Sequence, residues 1–201
     1  MDDQRRSCDR GGQHPPPLVS PSSPSTLAGI ADPLLCGVFS FNEPDLSSQA
    51  NVDPTTAANL WMTYMQPFAG QATLVGPSIT NGGAPVGTAW LDQFMDECNT
   101  LGCQVDAIAG HIYASAYDPD YYKTYIADLG TRYGKPVVMT EIGVDDSSTP
   151  VEDQVALINE LVPFLDGLDS VSHYAWFMAA PGFLVNADGS LTALGEAYND
   201  A

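Results

Sequence analysis

The chain has 201 residues, and its 25 acidic against six basic side chains give a formal net charge of −19. A surface of that sign repels the phosphate backbone of nucleic acids and anionic membranes, which favours a neutral or cationic partner, although acidity also serves solubility alone. No segment approaches the roughly 18 consecutive apolar residues of a membrane span. The polar N-terminal residues also lack the apolar core of a signal peptide.

Residues 1–33 differ in composition from the rest of the chain. They contain Pro15-Pro16-Pro17 and a segment of serine and proline at Ser20–Ser25. Such low-complexity sequence contains too little apolar surface to order itself by burial. We therefore predict a disordered, Pro/Ser-rich tail over residues 1–33 and a folded domain over residues 34–201.

Beyond the tail, short apolar runs alternate with helical patterns. Repeated strand–helix units predict a parallel sheet with right-handed crossovers. Their spacing fits a (β/α)₈ TIM-type barrel, which uses about 31 residues per unit. A doubly wound sheet is the alternative, but no glycine-rich phosphate-binding sequence favours it. The predicted strands are Cys36–Phe41, Ala72–Ile79, Val105–Tyr113, Pro136–Ile142 and Val171–Phe177.

Helix starts are marked by capping residues between these runs. An Asp followed by Pro predicts an N-cap and a first helical position, and Thr-x-x-Glu predicts a capping box. The predicted helices begin at Asp53-Pro54, Thr88, Asp118-Pro119, Thr149-Pro150-Val151-Glu152 and, for a last short helix, Ser190.

Two glutamates follow or end predicted strands. Glu43 belongs to Asn42-Glu43-Pro44-Asp45, and Glu141 to Thr140-Glu141-Ile142. The carboxyl ends of parallel strands meet at one rim of the sheet, where α/β folds place their chemistry. Two glutamates on one rim are what retaining glycoside hydrolysis uses, because it needs a proton donor and a nucleophile.

Other polar and aromatic side chains collect at the same predicted rim. His111, Tyr113 and Trp176 are candidates for binding a sugar, whose axial C–H faces pack on aromatic rings. Each has a structural alternative, which is a hydrogen-bonded histidine for His111 and rim packing for Tyr113 and Trp176. Asn42 and Asn81 complete the set of candidate binding residues.

The cysteines point to structure and not to metal binding. Cys98 and Cys103 flank a short turn and could close a small disulfide loop, or could remain two reduced thiols. Cys36, in an apolar run, is predicted to be an inert core thiol, and Cys8, in the tail, a free one. No Cys/His spacing matches a zinc site, so we predict no metal.

Four segments in order resemble the Asl1-like glycosyl hydrolases, which form glycoside hydrolase family 128 within the large clan of retaining (β/α)₈ glycosidases. This family is found largely in fungi and acts on β-1,3-glucan. The resemblance covers about residues 35–201. The segments that carry it are Phe41–Leu46, Gly76–Asn81, Val105–Tyr113 and Lys135–Glu141.

The resemblance implies a role for each candidate residue. Glu43 would be the general acid/base, Glu141 the nucleophile, and Asn42 a partner of the sugar 2-hydroxyl or of the nucleophile. His111, Tyr113 and Trp176 would line the sugar subsites, together with Asn81. The implied protein is an endo-β-1,3-glucanase that needs no cofactor and works at the cell wall or outside the cell, on a polysaccharide and not on nucleic acid.

The chain departs from the family in length before Glu43. In the clan the proton donor ends strand four, so three preceding strand–helix units would need about 90 residues. The resemblance therefore predicts an incomplete barrel with strands four to eight, a truncation that could impair activity. Two alternatives are a non-catalytic protein that binds β-glucan and a retaining hydrolase of another β-glycan.

Overall fold

The structure, a computed structural model, describes residues 37–201. The predicted tail, Cys8 and Cys36 lie outside these residues, as does the start of the first apolar run. In the part of the chain that is described, no helix combines the length and apolarity needed to cross a membrane.

Five parallel strands form one sheet whose spatial order is the same as the chain order. The sheet curls as an open half-barrel, which confirms the α/β class and is consistent with an incomplete TIM-type barrel. A doubly wound sheet would instead reverse its strand order at a switch point. The strands are β1 (Val38–Phe39), β2 (Leu74–Ile79), β3 (Ala107–Ala114), β4 (Val137–Val144) and β5 (Val171–Trp176).

The helices follow the strands in alternation, and a short 3₁₀ helix at Gln66–Phe68 follows the first of them. Two predicted caps are confirmed. Asp53 accepts a hydrogen bond from the backbone of Thr56, and Asp118 accepts one from the backbone of Tyr121. The helices are α1 (Pro54–Tyr64), α2 (Thr88–Leu101), α3 (Pro119–Tyr133), α4 (Val151–Asp166) and α5 (Ala193–Asp200).

One predicted capping box and one predicted helix start are wrong. The capping box at Thr149 is not formed, because the N-cap of α4 is Pro150 and no side chain caps the helix. The last helix begins at Ala193 and not near Ser190, since the side chain of Thr192 accepts the capping bond from Gly195. Ser190 instead hydrogen-bonds to Asp188 in the preceding turn.

The sheet carries apolar residues on both faces. Strand side chains alternate between faces, so Ile108 and Ile112 of β3 enter the main core beneath the helices. That core contains the fully buried rings of Trp61, Phe94 and Tyr122. A second, smaller cluster of buried residues lies on the inner, concave face: Val75, Ala107, Ala109 and Val138.

The strands differ in how firmly they are paired. The predicted strand Cys36–Phe41 is only two residues long within the described part of the chain, at Val38–Phe39. Beyond it, Asn42 pairs with Ser78 in an isolated bridge. By contrast, β3 and β4 pair along their lengths, from Ile108 with Val137 to Ala114 with Val144.

The C-terminal end of α2 leads into the start of β3, at the end of the sheet opposite the rim. Cys98 in this helix is joined to Cys103 by a disulfide, with the two Cα atoms 4.9 Å apart. Gly102 between them has a φ of 78°, a left-handed conformation that favours glycine and ends the helix.

Candidate active site

Glu43 sits on a loop beyond the short strand β1. Its φ is 42°, which is unusual for a residue with a side chain and more so before proline. The backbone N–H of Glu43 donates a 2.8 Å hydrogen bond to the carbonyl of Ser78. Such backbone conformations cost of order 1–3 kcal/mol and persist only where surrounding contacts impose them.

The carboxylate of Asp45 supplies those surrounding contacts. It is buried, and it accepts bonds from the backbone N–H of Thr80 at 3.1 Å and of Gly87 at 2.8 Å. The hydroxyl of Thr80 donates a third bond to it at 2.6 Å. Asp45 therefore ties the loop of Glu43 to the segment between β2 and α2.

Glu141 reaches the concave face because β4 contains an extra residue. Gly110 pairs with Met139, whereas the next residue, His111, pairs with Glu141. Thr140 is therefore the extra residue of a β-bulge. By simple alternation Glu141 would share the helix-facing side of Met139. The bulge turns Glu141 to the inner face, beside His111, as bulges near active sites commonly do.

His111 lies between the two glutamates. It is buried, and its Nδ1 atom is 2.8 Å from Oε1 of Glu43, within hydrogen-bonding distance. The same Nδ1 atom is 3.6 Å from Oε2 of Glu141. A carboxylate oxygen of each glutamate and a ring nitrogen of His111 all lie within 4.8 Å of one another. Glu43, from the loop after β1, and Glu141, from β4, thus form one cluster.

Tyr113 completes the surroundings of Glu141. Its hydroxyl donates a 2.6 Å hydrogen bond to Oε2 of Glu141. Burial raises the pKa of Tyr113 well above its usual value, and the adjacent carboxylate raises it further. The phenol therefore remains protonated over the working pH range of most proteins and keeps donating to Glu141.

Within residues 37–201, a metal ion could be held by one ligand atom from each of Glu43, His111 and Glu141. Two carboxylates and an imidazole suit a transition metal such as zinc. In the structure the same atoms are engaged by hydrogen bonds to one another and to Tyr113. The two-carboxylate chemistry described below needs no metal.

The remaining candidate binding residues have varied surroundings. Asn42, which immediately precedes Glu43, is exposed. The amide of Asn81 is bound to the backbone of Tyr113, donating to its carbonyl at 3.1 Å and accepting from its N–H at 3.2 Å. Trp176 ends β5 and is buried, with 6% of its surface exposed.

A cleft of about 500 Å³ opens beside this cluster, between the loops that follow β4 and β5. Phe177 packs edge-on against Tyr113, and Phe183 packs edge-on against Phe177 with 44% of its surface exposed. The residues that line the cleft include Tyr113, Gly143, Trp176, Phe177, Phe183 and Leu194. The cleft is therefore largely aromatic and apolar, and its wall includes the hydrogen-bond partner of Glu141.

Sequence reasoning missed several of these relations. Asp45 stood within the quoted Asn-Glu-Pro-Asp motif, and its position two residues after Glu43 was the available clue. Phe177 was predicted only as the last residue of a strand, and Phe183 belongs to a segment without a predicted element. The bonds of His111 and Tyr113 to the glutamates were not anticipated, because they depend on strand register.

Comparison with known families decides what kind of domain this is. A family model described as the glycosyl hydrolase catalytic core matches residues 25–198. The chain belongs to this family. Together with the relatives described next, this match confirms the resemblance to the Asl1-like glycosyl hydrolases of family 128, a family of glycosidases.

One relative of this glycosyl hydrolase domain is alkali-sensitive linkage protein 1 of Schizosaccharomyces pombe. The two are 36% identical over 178 residues, which cover 80% of this chain and 32% of that protein. The chain thus spans about a third of the length of this curated relative.

Solved structures of family 128 share the fold. A curdlan-specific exo-β-1,3-glucanase of Blastomyces gilchristii, in complex with glucose, is 34% identical with a TM-score of 0.72, over 82% of this chain and 70% of that one. A mutant endo-β-1,3-glucanase of Amycolatopsis mediterranei, in complex with laminaripentaose, is 30% identical with a TM-score of 0.72, over 82% and 72% of the two chains.

Proposed function

We propose that this domain hydrolyses β-1,3-glucan with retention of configuration, using Glu43 as general acid/base and Glu141 as nucleophile. The observation that carries the proposal is the approach of the two carboxylates, whose oxygens lie within 4.8 Å. Retaining enzymes hold their carboxyl groups about 5–5.5 Å apart, whereas inverting enzymes need about 6.5–9.5 Å to admit a water molecule. The spacing in this chain supports the retaining alternative.

In the first step Glu43 gives its proton to the glycosidic oxygen while Glu141 attacks the anomeric carbon. The bond to the leaving sugar breaks, and a covalent glycosyl-enzyme forms on Glu141. The hydroxyl of Tyr113 holds Oε2 of Glu141 at 2.6 Å, which leaves the other oxygen for attack. His111, 2.8 Å from Oε1 of Glu43, fixes the orientation of the acid.

In the second step Glu43, now ionised, takes a proton from water. The water attacks the anomeric carbon, the bond to Glu141 breaks, and both glutamates return to their starting states. His111 lies within 3.6 Å of both carboxylates, so it contacts the group that changes charge in each step. Asn42, exposed and adjacent to Glu43 in the chain, is placed in this proposal against the sugar 2-hydroxyl.

A neutral glucan fits the charge and the walls of the site. A formal net charge of −19 disfavours anionic polymers, and a neutral chain of glucose meets no such barrier. The aromatic cleft beside Glu141 offers ring faces for sugar C–H groups, with Trp176 and Phe183 on its walls. Relatives solved with glucose, laminaritriose and laminaripentaose support the same substrate class.

Further parts of the proposal rest on the resemblance or on composition. The five strands correspond to strands four to eight of a (β/α)₈ barrel, in a domain that begins near residue 34. From its composition, the segment over residues 1–33 is proposed as a tail outside that domain. The site of action is the cell wall or the extracellular space. Endo action is proposed, although the family includes both exo- and endo-glucanases.

The test is release of reducing ends from soluble β-1,3-glucan, with Glu141→Gln as the blank and β-1,4-glucan as the comparison substrate. We expect release by the unaltered chain alone, and only from the β-1,3-linked polymer. Oligosaccharide products of several lengths would establish endo action, whereas glucose alone would indicate exo action.

The two alternatives give different results in the same experiment. A protein that binds glucan without cleaving it would retain glucan in a pull-down assay equally well with Glu43→Gln, and would release no reducing ends. Activity on another β-glycan, with none on β-1,3-glucan, would refute the proposed substrate but not the two-glutamate mechanism.

A further inference from the structure

Tyr113 and Gly143 are direct neighbours on β3 and β4. The two residues pair in the sheet register, two positions beyond the pair His111 and Glu141. Tyr113 and Glu141 are therefore diagonal neighbours across the two strands. Such neighbours are about 7–8 Å apart at Cα, which is within reach of an aromatic side chain. The ring of Tyr113 can therefore reach Glu141 only by lying along β4, across the position of Gly143.

Gly143 provides the space that this orientation requires. A Cβ atom added at Gly143 would lie 2.7 Å from Cε1 and 3.0 Å from Cδ1 of Tyr113. Real Cβ atoms are not found at the shorter of these distances, so with any other residue at position 143 either the ring or the strand would have to move. The glycine thus leaves its side-chain volume to the tyrosine ring.

The backbone of Tyr113 is not free to move away from such a clash. The amide of Asn81 bonds to both the N–H and the carbonyl of Tyr113. On its other side the ring meets Phe177 edge-on, with ring centroids 5.9 Å apart. A clash at Gly143 would therefore be relieved by rotating the ring about its side-chain bonds, which carries the hydroxyl away from Glu141.

We propose that Gly143 is a positioning residue for the nucleophile: it lets the Tyr113 ring lie flat across β4 and aim its hydroxyl at Glu141, with Asn81 clamping the Tyr113 backbone. The inference rests on the proposed function of Glu141. It gives Asn81 a role in positioning, in place of the sugar contact that the resemblance implied. Gly143 touches no substrate in this role and acts only through Tyr113.

The test is a double-mutant cycle of Gly143→Ala and Tyr113→Phe. A hydrogen bond to a charged group justifies an expected loss of about tenfold in kcat for either single variant. In the Tyr113→Phe background the alanine should cause less than about twofold further loss, because the hydroxyl it displaces is already absent. An equal loss in both backgrounds would overturn the proposal, and so would an unchanged kcat for Gly143→Ala.

A second measurement does not depend on activity. The hydroxyl proton of Tyr113, held in a 2.6 Å bond to Glu141, should be protected from exchange and visible by NMR in tyrosine-labelled protein. We expect the resonance to disappear in Gly143→Ala and to remain in Glu43→Gln. If no glucan is cleaved at all, the proposed function fails, but this resonance still decides the role of Gly143. Its persistence in Gly143→Ala would contradict that role.

The chain offers a matched control for the clash itself. A Cβ atom added at Gly130 of α3 would lie 2.6 Å from the side chain of Ser170, away from the site. Gly130→Ala should lower stability while leaving both the kcat of folded protein and the Tyr113 resonance unchanged.

A loss of stability in Gly143→Ala is traced to the Tyr113 ring by repeating the substitution in a chain without that ring. If the variant is too unstable to assay, Gly143→Ala is introduced into Tyr113→Ala, where the ring is gone. We expect the alanine to cost little further stability there. A cost as large as in the unaltered chain would show that something other than the ring needs the space at Gly143, and would overturn the proposal.

Discussion

Glu141 and Glu43 reach the same cluster from backbones of opposite kinds. Glu141 lies inside the eight-residue strand β4, which pairs with β3 on one side and with β5 on the other. Glu43 follows the two-residue strand β1 on a loop with a φ of 42°. One carboxylate is placed by sheet register and the other by individual hydrogen bonds.

The difference shows that the two halves of the site depend on different interactions. Displacing Glu141 requires a change in the bulge or in the pairing of β4, both of which are supported by many cooperative hydrogen bonds. Displacing Glu43 requires only the loss of a few bonds, chiefly those of Asp45 and the bond to the carbonyl of Ser78. We therefore expect Glu43 to be the more easily disturbed residue.

The largest expected effect separates the roles of the two glutamates. Replacing the general acid/base Glu43 by Ala should lower glucan hydrolysis by about 10²–10⁴-fold, and replacing the nucleophile Glu141 by Ala at least as much. With an activated aryl β-glycoside, whose leaving group departs without protonation, azide should rescue Glu43→Ala and give a β-glycosyl azide, because it attacks the covalent intermediate from the face opposite Glu141. With Glu141→Ala it should give an α-glycosyl azide, by filling the nucleophile's place.

Product configuration is read by NMR, with Glu196→Gln, an exposed glutamate of α5, as the control. The opposite pairing of azide products would reverse the proposed roles. Full activity in both alanine variants without azide would show that neither glutamate takes part in the reaction.

Asp45→Ala should have the next largest effect, and of the two glutamates it should disturb Glu43 and not Glu141. The buried N–H of Gly87 and the part-buried N–H of Thr80 lose their acceptor, and the unsatisfied buried group costs about 1–3 kcal/mol in the free energy of unfolding. The loop of Glu43 loosens, and we expect kcat to fall by more than the folded fraction does. Thermal denaturation and initial rates measure the two effects.

Asp106 offers the matched control for Asp45. Its carboxylate also accepts a backbone N–H bond, from Leu74 at 2.8 Å, but at the start of β2 and not at the rim. Asp106→Ala should lower stability with kcat unchanged. Equal losses of kcat in Asp45→Ala and Asp106→Ala would mean that the loop of Glu43 has no special dependence on Asp45.

A smaller effect is expected at Ser78, which links the supports of the two glutamates. Its carbonyl accepts the N–H of Glu43, and its hydroxyl is 3.0 Å from that of Thr140, next to Glu141. Ser78→Ala removes only the hydroxyl bond, so we expect a loss of about 1 kcal/mol in the free energy of unfolding and about a twofold to fivefold fall in kcat.

Ser172 makes a similar bond between β5 and β4 at the other end of the sheet, donating to the carbonyl of Val137. Ser172→Ala should show the loss of stability without the fall in kcat, in urea denaturation and initial-rate measurements. A normal kcat in Ser78→Ala would show that the two glutamates are held independently.

The smallest effect on activity is expected from the disulfide, since it lies far from both glutamates. Replacing Cys98 and Cys103 together by Ser should lower stability by about 2 kcal/mol, through the entropy of the unfolded chain, and leave kcat unchanged. Reductant should lower the melting temperature of the unaltered chain and not that of the variant. A fall in kcat would show that the end of the sheet opposite the rim is coupled to the site.

Local chemistry accounts for what could be predicted from the sequence. The caps at Asp53 and Asp118 form as expected, since each bond joins residues three apart. The strand-like runs of β2 to β5 were found within two residues of their observed bounds. The capping box at Thr149 failed although its sequence fitted, because a local pattern permits a bond without requiring it.

The orientation of the site residues could not be predicted in this way. Strict alternation would have turned Glu141 towards the helices with Met139, and the bulge at Thr140 reverses this. Asn81 and Tyr113 were predicted to bind sugar. Their protein partners, Tyr113 for Asn81 and Glu141 for Tyr113, lie on other strands and were not predictable from local sequence.

The sequence by itself determined the α/β class, the order of the elements and the presence of two glutamates near one rim, because these depend on local apolar patterns and on short-range capping. The tertiary structure alone decided that Glu43, His111 and Glu141 form one cluster, that Asp45 anchors the first glutamate, and that Tyr113 crosses Gly143 to reach the second. The physical reason is that strand register and bulges arise from pairing between distant segments, and a shift of one residue turns a side chain to the opposite face of the sheet.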